Sequence, residues 1–208
     1  MPNVHPALAQ PVATLVPQRQ PDAPVDPLFV GRWSPRSFLP DPVPRAVLES
    51  MVEAARWAPS SLNLQPWRFF VTGQGPTRDA WNEAVAPGNR AWSDKAPVLV
   101  WVVARTTLGP NPYHPPETPN RHALFDTGAA ALSFVLEGER HGLRSHPMGG
   151  IDAPRAHALL GLDASHEVVC AIAVGRQGPA AALLDGFRSR EAPSPRKPAA
   201  EVASFSGL

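Results

Sequence analysis

Apolar residues recur at helical spacing through residues 45–58. Val47, Met51, Ala54, Ala55 and Ala58 share one side, while Arg45, Glu49, Glu53 and Arg56 fall mostly on the other. Pro42-Val43-Pro44 opens this run and Pro59 closes it, so it predicts a helix over 45–57. Residues 67–72 are rich in aromatic and β-branched side chains and predict a strand, closed by Gly73 and Gly75. Residues 96–104 are almost continuously apolar, the pattern of a central strand covered on both faces. A second buried strand is expected over 168–175. A long helix is expected to start at an Asp126-Thr127 N-cap and to end near His141-Gly142, where glycine can take the left-handed capping position. Shorter helices are expected over 28–38 (ending near Ser34-Pro35), 77–86 and 153–160. The stretches 106–120 and 145–151 predict loops, and the segment after 175 predicts loop with one weak C-terminal strand. Helices and strands mix without a regular βαβ rhythm, which predicts an α+β fold.

Proline changes this picture most. It supplies 27 of 208 residues, many of them within 1–27, where hydrophobic periodicity is weak. Residues 1–27 are therefore expected to form an extended or mobile arm, a tail or a strap around a neighbouring subunit, ahead of one domain over 28–208. A chain of 208 residues with 43% hydrophobic content can bury a substantial core. The net charge of +1 gives no concentrated basic face for a nucleic acid. No apolar run reaches the roughly 20 residues of a bilayer-spanning helix, and the N-terminal residues lack the pattern of a secretory signal. The single cysteine, Cys170, lies in an apolar run and is expected to be an inert buried thiol, which fits a cytoplasmic location.

Candidate chemistry sits in polar clusters between these elements. Arg32, Ser34 and Arg36 could hold a phosphate, because guanidinium forks give bidentate, charge-assisted bonds to its oxygens. The same pattern also occurs on a solvated turn. Ser60, Ser61, Asn63 and Gln65, between Pro59 and Pro66-Trp67, offer donors and acceptors beside an aromatic residue. Gly149-Gly150 after Pro147-Met148 could let the backbone approach a planar ligand, or could be an ordinary tight turn. Neither glycine-rich dinucleotide spacing nor a phosphate-binding loop signature is present. The histidines lack zinc spacing, and Ser60-Ser61 lacks the setting of a hydrolase nucleophile.

Taken in order, these clusters resemble the nitroreductase family of flavoproteins. The likeness runs from Arg32-x-Ser34-x-Arg36-x-Phe38 and Pro42-Val43-Pro44 to Pro59-Ser60-Ser61-x-Asn63-x-Gln65-Pro66-Trp67. It continues through Ala96-Pro97-Val98, Asp126-Thr127-Gly128, Pro147-Met148-Gly149-Gly150, Leu160-Gly161-Leu162 and Pro195-Arg196-Lys197-Pro198. It spans residues 28–202, and its most specific element is the Pro-Ser-Ser-x-Asn-x-Gln-Pro-Trp run.

The resemblance implies a nitroreductase-like fold, a mostly antiparallel sheet flanked by helices, in an intertwined homodimer that holds FMN noncovalently between its subunits. It implies that Arg32, Ser34 and Arg36 reach the phosphate, ribityl chain and pyrimidine edge, and that Arg196 closes on the phosphate. Trp33 stands where a polar residue is common, which leaves it a backbone contact. Ser60, with Ser61, Asn63 and Gln65, would come from the partner subunit. Pro147, Met148, Gly149 and Gly150 would lie over the flavin, with a backbone N–H toward N5. NADH or NADPH would donate a hydride, and a nitroaromatic, quinone or similar small molecule would accept it. The 106–120 loop, with Tyr113 and His114, would cover the open face. No residue is implied as catalytic and no metal is implied. Dehalogenation, substrate dehydrogenation, flavin fragmentation and simple FMN storage are the alternatives on the same scaffold.

Overall fold

The computed structural model describes residues 19–207. Its helices are α1 (Pro27–Gly31), α2 (Arg45–Arg56), α3 (Pro76–Asn82), α4 (Pro87–Ser93), α5 (Ala123–Arg140), α6 (Ala153–Leu159), α7 (Asp185–Arg188) and α8 (Ala199–Val202). Its strands are β1 (Trp67–Thr72), β2 (Val98–Arg105), β3 (Arg144–Met148) and β4 (His166–Gly175). They form one antiparallel sheet in the order β1-β2-β4-β3.

The alternation of β2 divides the core. Successive side chains of a strand point to opposite faces, so Val98, Val100 and Val102 pack with Met51 and Ala55 of α2 and Ala130 and Phe134 of α5. Leu99, Trp101 and Val103 pack on the other face with Trp92 of α4 and Ala156 of α6. In β4, Ile172 and Val174 join the first layer while Ala171 and Ala173 join the second. A bulge then shifts the register, so that Val102 faces Cys170 and Val103 faces Val168. The extra residue reverses the parity and sends Val168 to the second layer. Cys170 packs against the first layer, and burial pushes its thiol up to about 11, out of the reactive range.

Several boundaries differ from the sequence expectation, each for a local reason. The first helix stops at Gly31 instead of running toward Ser34, because Arg32 is already extended. Its start is capped by Asp26, which accepts the Leu28 N–H at 2.8 Å. The expected 77–86 helix ends at Asn82, and a further helix, not expected from the sequence, follows, with Pro87 at its start where the missing N–H costs nothing. Residues 145–151 are not a loop throughout, since Arg144–Met148 is edge strand β3. An edge position tolerates Pro147. The long helix begins at Ala123 rather than at an Asp126-Thr127 cap, and Asn120 accepts the His122 N–H at its start. At its end Gly142 has φ +72°, and the Leu143 N–H reaches the Gly138 carbonyl at 2.9 Å. Among the described residues no strand follows Gly175; the tail forms short helices amid prolines 193, 195 and 198.

The segment after α1 returns to the sheet beside the end of β4. Leu39 N–H donates to the Arg176 carbonyl and Gly178 N–H to the Ser37 carbonyl, both at 2.9 Å. A Cβ on Gly178 would lie 2.8 Å from the Ser37 hydroxyl, so this close approach requires glycine. The pairing delivers Arg32, Ser34 and Arg36 to one end of the sheet.

Candidate functional site

At that end, a cavity of about 280 Å³ is lined by Arg19, Arg32, Arg36, Arg190 and Arg196, with Trp33, Ser34 and His146 among the other walls. Among the described residues its lining includes no carboxylate. The nearby acids are engaged elsewhere. Glu191 accepts the Arg36 and Ser37 backbone N–H groups at 2.9 Å, and Glu139 pairs with Arg144. Burial pushes the Glu139 carboxyl up to about 7, against the pull of Arg144 and Arg32.

Like charges therefore face one another across this cavity. Arg32 is pulled below the usual arginine range by burial and then by Arg196; Arg36 is pulled down by burial and then by Arg190. An anion relieves that repulsion, and guanidinium groups suit the oxygens of a phosphate. Arg196 sits at the exposed lip, donating to the Pro195 carbonyl at 3.0 Å. Arg32 reaches the Ser34 hydroxyl at 3.4 Å. Trp33 is buried, so its side chain belongs to the wall and only its backbone is open to a ligand.

His146, Arg190 and Glu191 complete this region and were not singled out by sequence reasoning. His146 lies 2.8 Å from the Pro35 carbonyl through Nδ1 and packs on Trp92 with ring centroids 4.4 Å apart. A carbonyl can only accept, so Nδ1 carries the proton in the neutral ring. Burial lowers its pKa to about 4, outweighing that bond. The cavity wall is thus a neutral imidazole among arginines. The only sequence signal for Arg190 is the basic run Arg188-Ser189-Arg190, which reads as a solvated face.

The serine–asparagine–glutamine segment lies elsewhere. Leu62, Asn63 and Gln65 all have positive φ, at 52°, 54° and 47°, a left-handed conformation that non-glycine residues adopt at a cost. The segment is held by its own polar groups. Gln65 N–H donates to Ser60 Oγ at 3.0 Å, and the Gln65 amide donates to Asn63 Oδ1 at 3.1 Å. Ser61 N–H is tied to the buried Asp126 carboxylate at 3.0 Å. Leu62 is left 75% exposed.

Asp126 lies in the first turn of α5, whereas Glu139, beside Arg144 and Arg32, lies in its last. At 1.5 Å per residue these ends are about 20 Å apart. Within one chain, then, the two clusters do not meet. The outer side of α5 carries exposed Phe125 (79%) and Leu124 in its first turn and Leu132 further along, with exposed Trp57 just beyond α2.

The two glycines after β3 have different roles. A Cβ on Gly150 would lie 2.6 Å from the Asn89 amide, so that glycine serves packing against α4. Gly149 is exposed and faces open space, leaving its backbone accessible. Met148 buries its side chain in the core, and Pro147 is exposed. The 106–120 loop is organised: Leu108 N–H pairs with the Thr118 carbonyl at 2.8 Å, and Asn111 Oδ1 accepts the Tyr113 and His114 N–H groups. Tyr113, at 84% exposed, and His114 stand at its tip.

A sequence model described as the Nitroreductase family matches residues 30–176. The chain belongs to the nitroreductase family. It is 31% identical to a Thermus thermophilus protein named NADH dehydrogenase, over 69% of this chain and 82% of that one. A Lactiplantibacillus plantarum protein named CLA biosynthesis enone reductase is 27% identical, over 72% of this chain and 83% of its own. Among solved structures, one described as an oxidoreductase containing FMN superposes with a TM-score of 0.86 at 36% identity, covering 91% of this chain and 95% of the other. A nitroreductase family protein from Streptococcus pneumoniae has a TM-score of 0.69 at 20% identity, covering 86% and 98%, and speaks for the fold alone. As a nitroreductase the chain is an oxidoreductase built on an antiparallel sheet with flanking helices. Among the described residues no helix is long and apolar enough to cross a membrane, and no group of three or more potential metal ligands comes together.

Proposed function

We propose that this nitroreductase binds FMN in the arginine cavity and uses NADH or NADPH to reduce an electron-poor small molecule, such as a nitroaromatic or a quinone. The observation that carries this reading is the cluster of arginines around a cavity without a carboxylate. Such a cavity fits a phosphate monoester better than any neutral ligand. The similar oxidoreductase described as containing FMN, and the similar protein named NADH dehydrogenase, support the choice of cofactor and donor.

Arg32, Arg36 and Arg196 would hold the phosphate and the polar edge of the flavin, with Ser34 and the Trp33 backbone beside them. Pro147, Met148 and Gly149 would offer backbone to the ring, and the open face of Gly149 suits close approach. Gly150 would act indirectly, by seating that turn on Asn89. FMN held there would supply a two-electron carrier between the nicotinamide and the acceptor. The protein's own contribution would be orientation and charge: Arg36, in the cavity wall, would favour negative charge on the reduced cofactor, and neutral His146 would add none.

Ser60, Ser61, Asn63 and Gln65 would complete the site from a second copy. Their distance from the arginine cavity and the exposed apolar side of α5 both favour a homodimer with two shared sites. Tyr113 and His114 would then stand over the acceptor side. The nitroreductase-like fold that carries this activity would span residues 28–208, with Arg19 reaching its cavity from ahead of it. The direct test is a visible spectrum of the purified protein, followed by anaerobic mixing with NADH and NADPH. A flavin band bleached by either nucleotide is the expected result; a colourless protein that refuses added FMN would overturn the proposal.

A further inference from the structure

Arg19 lies ahead of the expected domain boundary, yet its guanidinium has three carbonyl partners. Nε donates to Ser194 at 2.8 Å; one terminal nitrogen donates to Val30 at 2.9 Å and also to the Arg32 carbonyl. Val30 and Arg32 border the first arginine cluster, and Ser194 stands two residues before Arg196. One side chain thus joins three separate parts of the chain, and it does so at the cavity wall. It also lines a neighbouring groove of about 490 Å³ that shares Arg196. Asp22 lines the same groove, but its carboxylate is bound to the Ala199 N–H; burial followed by the charges of Arg196 and Arg32 pulls Arg19 below the usual arginine range.

An arginine used only as a tether has no need to face two other arginines, because repulsion works against the closure. Placed there, it makes sense as part of an anion site, where a phosphate offsets the repulsion of all three guanidinium groups. A second tie acts at the same place: Asp22 accepts the Ala199 N–H at 2.6 Å, three residues beyond Arg196.

Resting on the FMN reading above, we propose that Arg19 is a phosphate-positioning residue that straps the C-terminal tail across the cavity, so that the segment before α1 completes the cofactor site. It places Arg196 opposite Arg32 and adds its own positive charge. The cofactor-binding unit therefore begins at or before Arg19 rather than at residue 28.

The test compares wild type, Arg19→Ala, Arg19→Lys and Arg196→Ala by titration with FMN and with riboflavin, which lacks the phosphate. Hydrogen exchange of residues 192–199 is followed in the flavin-free proteins. Arg19→Ala should weaken FMN by about tenfold or more, since a charge-assisted bond is lost, with riboflavin affinity unchanged. Arg19→Lys should recover part of the FMN affinity, which a purely structural loss would not show, and exchange of the tail should accelerate in Arg19→Ala. Wild-type FMN affinity in Arg19→Ala alongside loss in Arg196→Ala overturns the strap while leaving the flavin reading intact. Wild-type affinity in both variants moves the phosphate away from the arginine cavity and overturns this role, whereas no FMN binding by the wild type removes the flavin reading itself. Equal losses for FMN and riboflavin in Arg19→Ala also overturn the phosphate role.

Discussion

The Ser61 backbone N–H donates to the Asp126 carboxylate at 3.0 Å, joining a left-handed loop to a buried side chain in the first turn of α5. This bond adds to the segment's own hydrogen bonds in holding Ser60–Gln65 in its left-handed conformation. An aspartate in a first helical turn also meets the positive end of the helix dipole. Asp126→Ala should cost about 1.5–3 kcal/mol in urea unfolding, the value of a hydrogen bond to a charged group. Asp126→Asn keeps an acceptor and should cost clearly less. Equal stability of all three proteins would show that the segment is held by other means.

Arg32 and Arg196 flank the cavity from distant parts of the chain. Replacing either by Ala should weaken FMN roughly tenfold to a hundredfold, from 1.5–3 kcal/mol of charge-assisted bonding. Folding stability of the flavin-free protein should hold or rise, because each substitution removes repulsion between like charges. Fluorescence quenching of FMN gives the first quantity and thermal unfolding the second.

The pH dependence of stability should carry the signature of His146. Its folded pKa is about 4 against an ordinary 6.5, so the folded protein holds it neutral where the unfolded chain takes up a proton. Its stabilising contribution is complete above pH 6.5 and is lost as pH falls toward 4, by up to about 3 kcal/mol. Unfolding of the flavin-free protein between pH 7 and pH 4, compared with His146→Gln, isolates this contribution. A parallel pH profile for the two proteins would mean that the imidazole is protonated in the fold.

Phe125 and Leu132 stand exposed on one side of α5. In a two-fold dimer each Phe125 would bury about 1.5–3 kcal/mol of apolar side chain, counted once per subunit. Phe125→Glu should therefore shift the protein to monomer in light scattering and remove FMN binding in the same variant. A monomer that still binds FMN with wild-type affinity would show that one chain holds the whole site.

Much of this architecture is legible in the sequence because it follows from periodicity. The unbroken apolar run of β2 reveals a strand covered on both sides, and the spacing of Met51 and Ala55 reveals the inner side of α2. Strand β3 is hidden because His146, Pro147 and the following glycines read as a turn, and only the edge of a formed sheet makes them a strand. Helix α4 is hidden for the same reason, behind Pro87-Gly88-Asn89. In the site, the polar residues of 60–65 announce their chemistry, but not their left-handed backbone or the tie from Ser61 to Asp126, far along the chain. Arg19, His146 and Arg190 are brought to the cavity by long-range pairing, and nothing next to them in sequence marks them.

A mixed dimer tests most directly whether each site is built from two copies of the chain. One parent carries Arg32→Ala with Arg196→Ala, and the other carries Ser60→Ala with Asn63→Ala and Gln65→Ala. Neither homodimer should hold FMN. In the mixed dimer one of the two sites combines only unaltered segments, so FMN should bind at half the wild-type stoichiometry. Mixed dimers that form but bind no FMN, or a first parent that binds as well as wild type, would contradict the shared site.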